Sequence, residues 1–169
     1  MSFAAMMLPE IDHEMAGLRS SLERVPEGQL DWTPHDRSFS MRGLITHLAT
    51  IPRWGLMVLE HDELDMDPEK DRNEPVASVA AALELFDAEL ASLRQALQST
   101  EDGALRAQWT FKVKGQVAFA MPRMGVMRTF VMNHMIHHRA QLGVYLRLLG
   151  VAVPPLYGPS ADEGNPSVS

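Results

Sequence analysis

At 169 residues, with a formal charge of −7 and no cysteine, the chain is long enough for one well-buried core and too short for two comfortable ones. The missing cysteines exclude a disulfide framework, a thiolate ligand and a cysteine nucleophile, so any metal must be held by nitrogen and oxygen. The acidic balance and the lack of a basic run argue against a nucleic-acid partner. No stretch has the apolar length of a membrane span, so a soluble, cytoplasmic protein is expected.

In residues 8–25 the apolar positions Leu8, Ile11, Met15, Leu18, Leu22 and Val25 recur at three and four, which predicts a first helix closed by Pro26 and Gly28. Residues 30–39 hold two aromatics, a proline and turn formers, and lead to Ser40 as the N-cap of a second helix over 40–60. On that helix Leu44, His47, Leu48, Ile51, Trp54 and Val58 share a face. At about 100° per residue, with His47 as zero, Ile51 falls at about +40° and Trp54 at about −20°, so His47 sits centrally in the buried stripe.

Residues 61–74 are acidic and contain a proline, which predicts an exposed connection and a solvated charge run. The alternation returns over 76–97 in Val76, Val79, Leu83, Phe86, Leu90, Leu93 and Leu97, a third helix begun by Pro75 and ended before Gly103. Residues 109–120 change period. Phe111 and Val113 alternate with Lys112 and Lys114, and Gly115 turns the chain toward Val117 and Phe119. A short hairpin or an extended loop across one end of the helices is expected there.

A fourth helix over 124–149 follows Pro122 and carries three of the seven histidines. With His134 as zero, His138 falls at about +40°, Met127 and Tyr145 at about +20° and Val131 at about +60°, while His137 lies at about −60° and Arg139 points away at about +140°. An H-x-x-x-H pair therefore projects into the core at the spacing that lets two imidazoles reach one metal ion. His47 is the natural third ligand. Three imidazoles at stripe centres must each find a polar partner inside an apolar bundle, and a shared ion satisfies all of them. Trp54, Gln141 and Tyr145 fall within a turn or two of these ligands. Gln141 and Tyr145 carry polar groups suited to orienting them, whereas Trp54 suits core packing.

Residues 154–169 are rich in proline and glycine. Their first part, to 163, can lie on the surface with Leu156 and Tyr157 as anchors, and the last few residues are expected to be mobile. The chain thus reads as all-α, a four-helix bundle forming one domain over 1–153 with a tail over 154–169, its up and down order left open. The back of the fourth helix carries Met132, Ile136, Ala140 and Gly143. A helix apolar on both sides needs a second partner, so a homodimer is expected unless the hairpin or tail covers this strip.

His47 within LITHLA, the H-x-x-x-H of NHMIHHRAQLGVYLRLLG and the following VPPLYGPSADE resemble the DinB-like superfamily, which includes the bacillithiol-transferase-like proteins. The resemblance covers nearly the whole chain. It implies an up-up-down-down bundle, usually a homodimer, with a divalent metal, commonly zinc or nickel, on three histidines. Carried over residue by residue, these are His47, His134 and His138, the three that helix phasing selects. Known members include thiol-dependent transferases and isomerases in which a low-molecular-weight thiol binds the metal.

Three protein nitrogens leave a coordination position open, as in catalytic zinc sites. Hydrolysis by a metal-bound hydroxide asks for a nearby general base, and no Glu or Asp lies on the stripe of the second or fourth helix. Glu14, Asp12 or Asp36 serves only if folding brings it there. The expected function is therefore a metal-dependent thiol transferase that activates a small thiol for attack on an electrophile. A hydrolase ranks second, and a non-catalytic metal-stabilised binding or stress-response module third. No catalytic acid or base is assigned.

Overall fold

The computed structural model describes residues 2–164, so Met1 and the final stretch expected to be mobile, 165–169, lie outside it. Three long helices, α1 (Phe3–Leu22), α2 (Met41–Glu60) and α3 (Val79–Ser99), precede a short α4 (Asp102–Arg106). A fourth long helical run starts as α5 (Arg123–Val126), passes through a π-helical segment (Met127–Asn133) and ends as α6 (His134–Leu148). Both α1 and α2 pack on α3 and on α6. The core between them is built from the predicted stripes: Ile11, Met15, Leu18 and Leu22 of α1, Phe86, Leu93 and Leu97 of α3, and Met127 and Val131 are all fully buried.

Serines set the helix starts. The Ser40 hydroxyl accepts from Gly43 N at 3.1 Å, as its N-cap role requires. Ser2 caps α1, which therefore begins well before Leu8 and continues through Pro9. Ser78, not Pro75, opens α3, leaving Val76 as a buried loop residue whose backbone N–H donates to Thr46 Oγ1 at 3.0 Å.

The all-α expectation is corrected by a three-stranded sheet in the order β1 (Glu63–Met66), β2 (Gln108–Val113), β3 (Gln116–Pro122). The β2–β3 pair is the expected hairpin, turning at Lys114 and Gly115, which both have positive φ, as a two-residue hairpin turn of the mirror-image type needs. The third strand is unexpected. Residues of the acidic connection pair in parallel with β2, Leu64 opposite Phe111 and Met66 opposite Val113. Strand β1 alternates exposed Glu63 and Asp65 with half-buried Leu64 and Met66, so only two apolar residues carry its period, too few to stand out from a charged run. The buried Arg123 fastens this sheet to the bundle by donating to the carbonyls of Val58 at 2.8 Å and His61 at 3.0 Å and pairing with Asp62.

The tail is fixed as far as it is described. Pro154 is buried, Leu156 lies against Gly17, Tyr157 Oη bonds Glu14, and Glu163 pairs with Arg24. Val153, just before the tail, approaches Gly143, so the chain leading into the tail covers part of the apolar strip on α6. Among the described residues no helix is long and apolar enough to cross a membrane.

Candidate metal centre

His47 comes from the middle of α2, His134 opens α6 directly after the π segment, and His138 follows one turn later. The fold brings all three together, with one ligand-capable nitrogen of each within 4.8 Å of the other two. His47 Nε2 and His134 Nε2 lie 2.7 Å apart, and the three ring centroids are separated by 4.5 to 4.9 Å. Nitrogens sharing a tetrahedral ion at zinc–nitrogen distances of 2.0–2.1 Å sit about 3.3 Å apart, so small ring shifts convert this cluster into a ligand set.

The electrostatics suit a cation. Burial, with the neighbouring imidazoles adding to it, pushes the pKa of His47 and of His134 down to about 4. That of His138 is also lowered by burial, against an opposing hydrogen bond from Gln141. At neutral pH all three rings are uncharged and offer lone pairs, the state a metal requires. His138 Nδ1 and Gln141 Oε1 are 2.7 Å apart, so Nδ1 carries the proton and Nε2 is the free donor. Gln141 Nε2 donates in turn to His137 Nε2 at 3.1 Å, which places His137 outside the cluster on an exposed face. The donor set therefore fits a divalent ion.

The other expected pocket residues divide. Gln141 touches a ligand histidine directly. Tyr145 does not: its hydroxyl donates to the Phe39 carbonyl at 3.0 Å and its ring meets Trp32 edge-on. It acts through Phe39, which stacks on His47 at 5.8 Å and meets His138 edge-on at 6.0 Å. Phe39 went unnoticed in the sequence, although the position before an N-cap is where a stapling apolar residue is expected. Trp54 lies beside His47 in a cleft, not in the core.

A pair of buried threonines also escaped notice. Thr46 and Thr50 follow the helix and donate to the carbonyls of Arg42 and Thr46 at 2.7 and 3.1 Å. Their oxygens then accept from Val76 N and Asn73 Nδ2. This pins the loop before α3 against α2, and an open cleft of about 390 Å³ there is lined by His47, Phe39, Thr46, Arg72 and Asn73. The carboxylates considered as bases are engaged elsewhere. Glu14 bonds Arg139 and Tyr157, Asp12 pairs with Arg94, and the exposed Asp36 pairs with His35.

The sequence profile of the DinB family matches residues 1–167. The chain belongs to the DinB family. A DinB-like protein from Bacillus cereus ATCC 10987 has the same fold, with a TM-score of 0.67 at 19% identity over 89% of this chain and 95% of that one. A DinB-like protein of Bacillus subtilis, YjoA, gives 0.69 at 16% identity over 90% and 96%. In sequence, the uncharacterized protein YrdA of Bacillus subtilis (strain 168) is 36% identical over 63 residues. That match spans 36% of this DinB-family chain and 38% of YrdA's length. A three-histidine group able to hold a metal thus sits in a DinB fold.

Proposed function

We propose that this DinB-family protein is a metal-dependent transferase that joins a low-molecular-weight thiol to an electrophile, with zinc or nickel, both suited to imidazole ligands, as the ion. The observation that carries the reading is a donor set of three neutral imidazoles with no carboxylate among them, in a chain without cysteine. A divalent ion held there would supply the positive charge that favours the thiolate form of a coordinating thiol, whose pKa is otherwise about 8.5. The chain's own residues do the rest. His47, His134 and His138 bind without cancelling the ion's charge, Gln141 orients His138, and Phe39 shields two of the rings. Arg72, beside Asn73 on the open cleft, places a guanidinium where a thiol's carboxylate can dock. The thiol proton leaves to solvent, a sulfur–carbon bond forms, and the electrophile's leaving group departs with its bonding electrons.

Hydrolysis is disfavoured because among the described residues no carboxylate joins the histidine cluster and both Glu14 and Asp12 pair with arginines. The test loads the protein with zinc or nickel and follows cysteine and glutathione with 1-chloro-2,4-dinitrobenzene, which releases chloride and a chromophoric thioether. Metal-dependent turnover that disappears in His134→Ala is expected. Thiol-independent hydrolysis of 4-nitrophenyl acetate, lost in the same variant, would replace the reading with a hydrolase. No turnover across a broad panel, with unfolding on metal removal, would replace it with a metal-stabilised module.

A further inference from the structure

Among the described residues two clefts reach the histidine cluster, and they differ in the polar side chains they carry. The one described above is open and carries Arg72 and Asn73. The second, about 170 Å³, has His47 and His134 among its walls and otherwise Ile51 and Trp54 of α2, Met66 of β1, Phe111 of β2 and Phe130 of the π segment. Among the described residues only His47 lines both.

We infer that this second cleft binds the apolar group of the electrophile and takes one group the size of a benzene ring, an assignment that rests on the transfer reading. Size is the first argument, since an apolar cavity of about 150 Å³ accepts benzene in a protein interior. Chemistry is the second. Apart from the two imidazoles every lining residue is apolar, so in the metal-free protein a charged group entering it loses hydration and gains no partner. Trp54, Phe111 and Phe130 instead offer ring faces and edges to an aromatic guest.

The third argument is that these residues are not simply core. Phe130 is 38% exposed, and it is held over the cleft by stacking on Phe119 of β3 at 4.3 Å. It belongs to the π-helical segment, and π turns inside α-helices recur at functional sites. The sheet thereby gains a purpose, since β1 and β2 supply the cleft's far wall through Met66 and Phe111. The polar substrate has its own approach past Arg72, which leaves the apolar approach to its reaction partner.

Fluorine NMR titrations of 4-fluorotoluene and 4-fluorobenzoate into the metal-free protein, where no ion can capture the carboxylate, test this without requiring turnover. Saturable binding of 4-fluorotoluene is expected, with 4-fluorobenzoate weaker by about tenfold or more. Met66→Trp fills the cleft and should weaken 4-fluorotoluene by about tenfold with zinc uptake on loading unchanged, while Phe130→Ala widens it and should tighten 2-fluoronaphthalene by a similar factor. Equal 4-fluorotoluene affinity in the parent and both variants, or benzoate binding as tightly as toluene, would overturn the assignment. If 4-fluorotoluene obeys these variants but no thiol binds the zinc-loaded protein, the apolar subsite stands and the transfer reading alone is lost.

Discussion

His138 and Gln141 are joined Nδ1 to Oε1 at 2.7 Å, three residues apart on one face of α6, and this single contact decides which imidazole nitrogen faces His47 and His134. A ligand histidine whose second nitrogen is held by an outer partner keeps both its tautomer and its orientation. Gln141→Leu should therefore weaken metal binding by about 10–100-fold, the usual effect of losing such a partner, with the fold unchanged. Gln141→Glu, which keeps the acceptor, should restore most of it. Chelator competition measures both, and equal affinity in Gln141→Leu and the parent would show that the ring is fixed by packing alone.

His137 separates a cluster of three from a general histidine patch. It lies next to His138 in sequence, yet its Nε2 receives a hydrogen bond from Gln141 and its side faces solvent. Elemental analysis of four alanine variants should find metal in His137→Ala and little in His47→Ala, His134→Ala and His138→Ala. Metal retained in His138→Ala but lost in His137→Ala would reverse the ligand assignment.

The parts of this site that were legible in the sequence are those set by local periodicity. His134 and His138 are one turn apart and His47 is central among Leu44, Ile51 and Trp54, so helix phase alone brings their faces to the core. The walls of the site depend on contacts distant in sequence. Met66 lines a cleft because β1 pairs with β2 some 45 residues later, and nothing in ELDM announces a partner. Arg72 and Asn73 reach the site because Thr46 and Thr50 hold the loop. The π segment left no local mark either, although it carries Phe130. Arg139 points away from the histidine stripe, as its helix phase predicts, but its side of α6 is covered by α1 and the tail, so it is buried.

The histidine cluster also makes the metal-free protein acid-sensitive. Burial lowers the pKa of His47 and His134 to about 4, against 6.5 for a free histidine. Above pH 6.5 both rings are neutral whether the chain is folded or not, so they contribute nothing. As pH falls from 6.5 toward 4 the unfolded chain binds protons that the folded one refuses, and stability declines throughout that window. Urea titrations of metal-free protein at pH 7 and pH 4.5 should show a larger loss in the parent than in His134→Ala. Identical losses would place the acid sensitivity elsewhere.

We propose that the homodimer forms on what the tail leaves free of α6. Met132 is fully buried and Gly143 lies near Val153, but Ile136 is half-buried, Ala140 is exposed, and Val144 and Leu148 are 58% and 61% exposed. These four recur every fourth residue, which makes a continuous apolar seam suited to a second copy of the same helix. Sedimentation should give a dimer for the parent and a monomer for Val144→Lys. A monomeric parent at micromolar concentration, with Ile136→Lys no less soluble, would refute it.

The last expectation concerns the ion pair that holds the tail. Arg139 and Glu14, 3% and 8% exposed at the side chain, lie 2.8 Å apart, and Arg139 also donates to the Glu14 backbone carbonyl and to Tyr157 Oη at 2.8 Å each. Tyr157 Oη in turn reaches both Glu14 carboxylate oxygens, at 3.0 and 2.9 Å. A Cβ on Gly17 would stand 2.8 Å from Arg139 Nη1, so the helix is bare where the guanidinium passes. Removing one partner of a buried pair leaves the other uncompensated, at a cost of about 3–5 kcal/mol, whereas exchanging both for apolar residues is often nearly neutral. Arg139→Met should therefore lower stability by about that amount, and the double variant Glu14→Leu with Arg139→Met should recover most of it. Tyr157→Phe removes hydrogen bonds to two charged groups, one accepted from Arg139 and one donated to Glu14, and a loss of at least about 1.5–3 kcal/mol is expected. Because the Arg139 side chain leaves α6 toward Glu14 and Tyr157 and not toward the histidine cluster, metal content should be unchanged in all three variants. A double variant no more stable than Arg139→Met, in urea titrations at neutral pH, would show that the ion pair itself, and not the burial of an unpaired charge, sets the stability here.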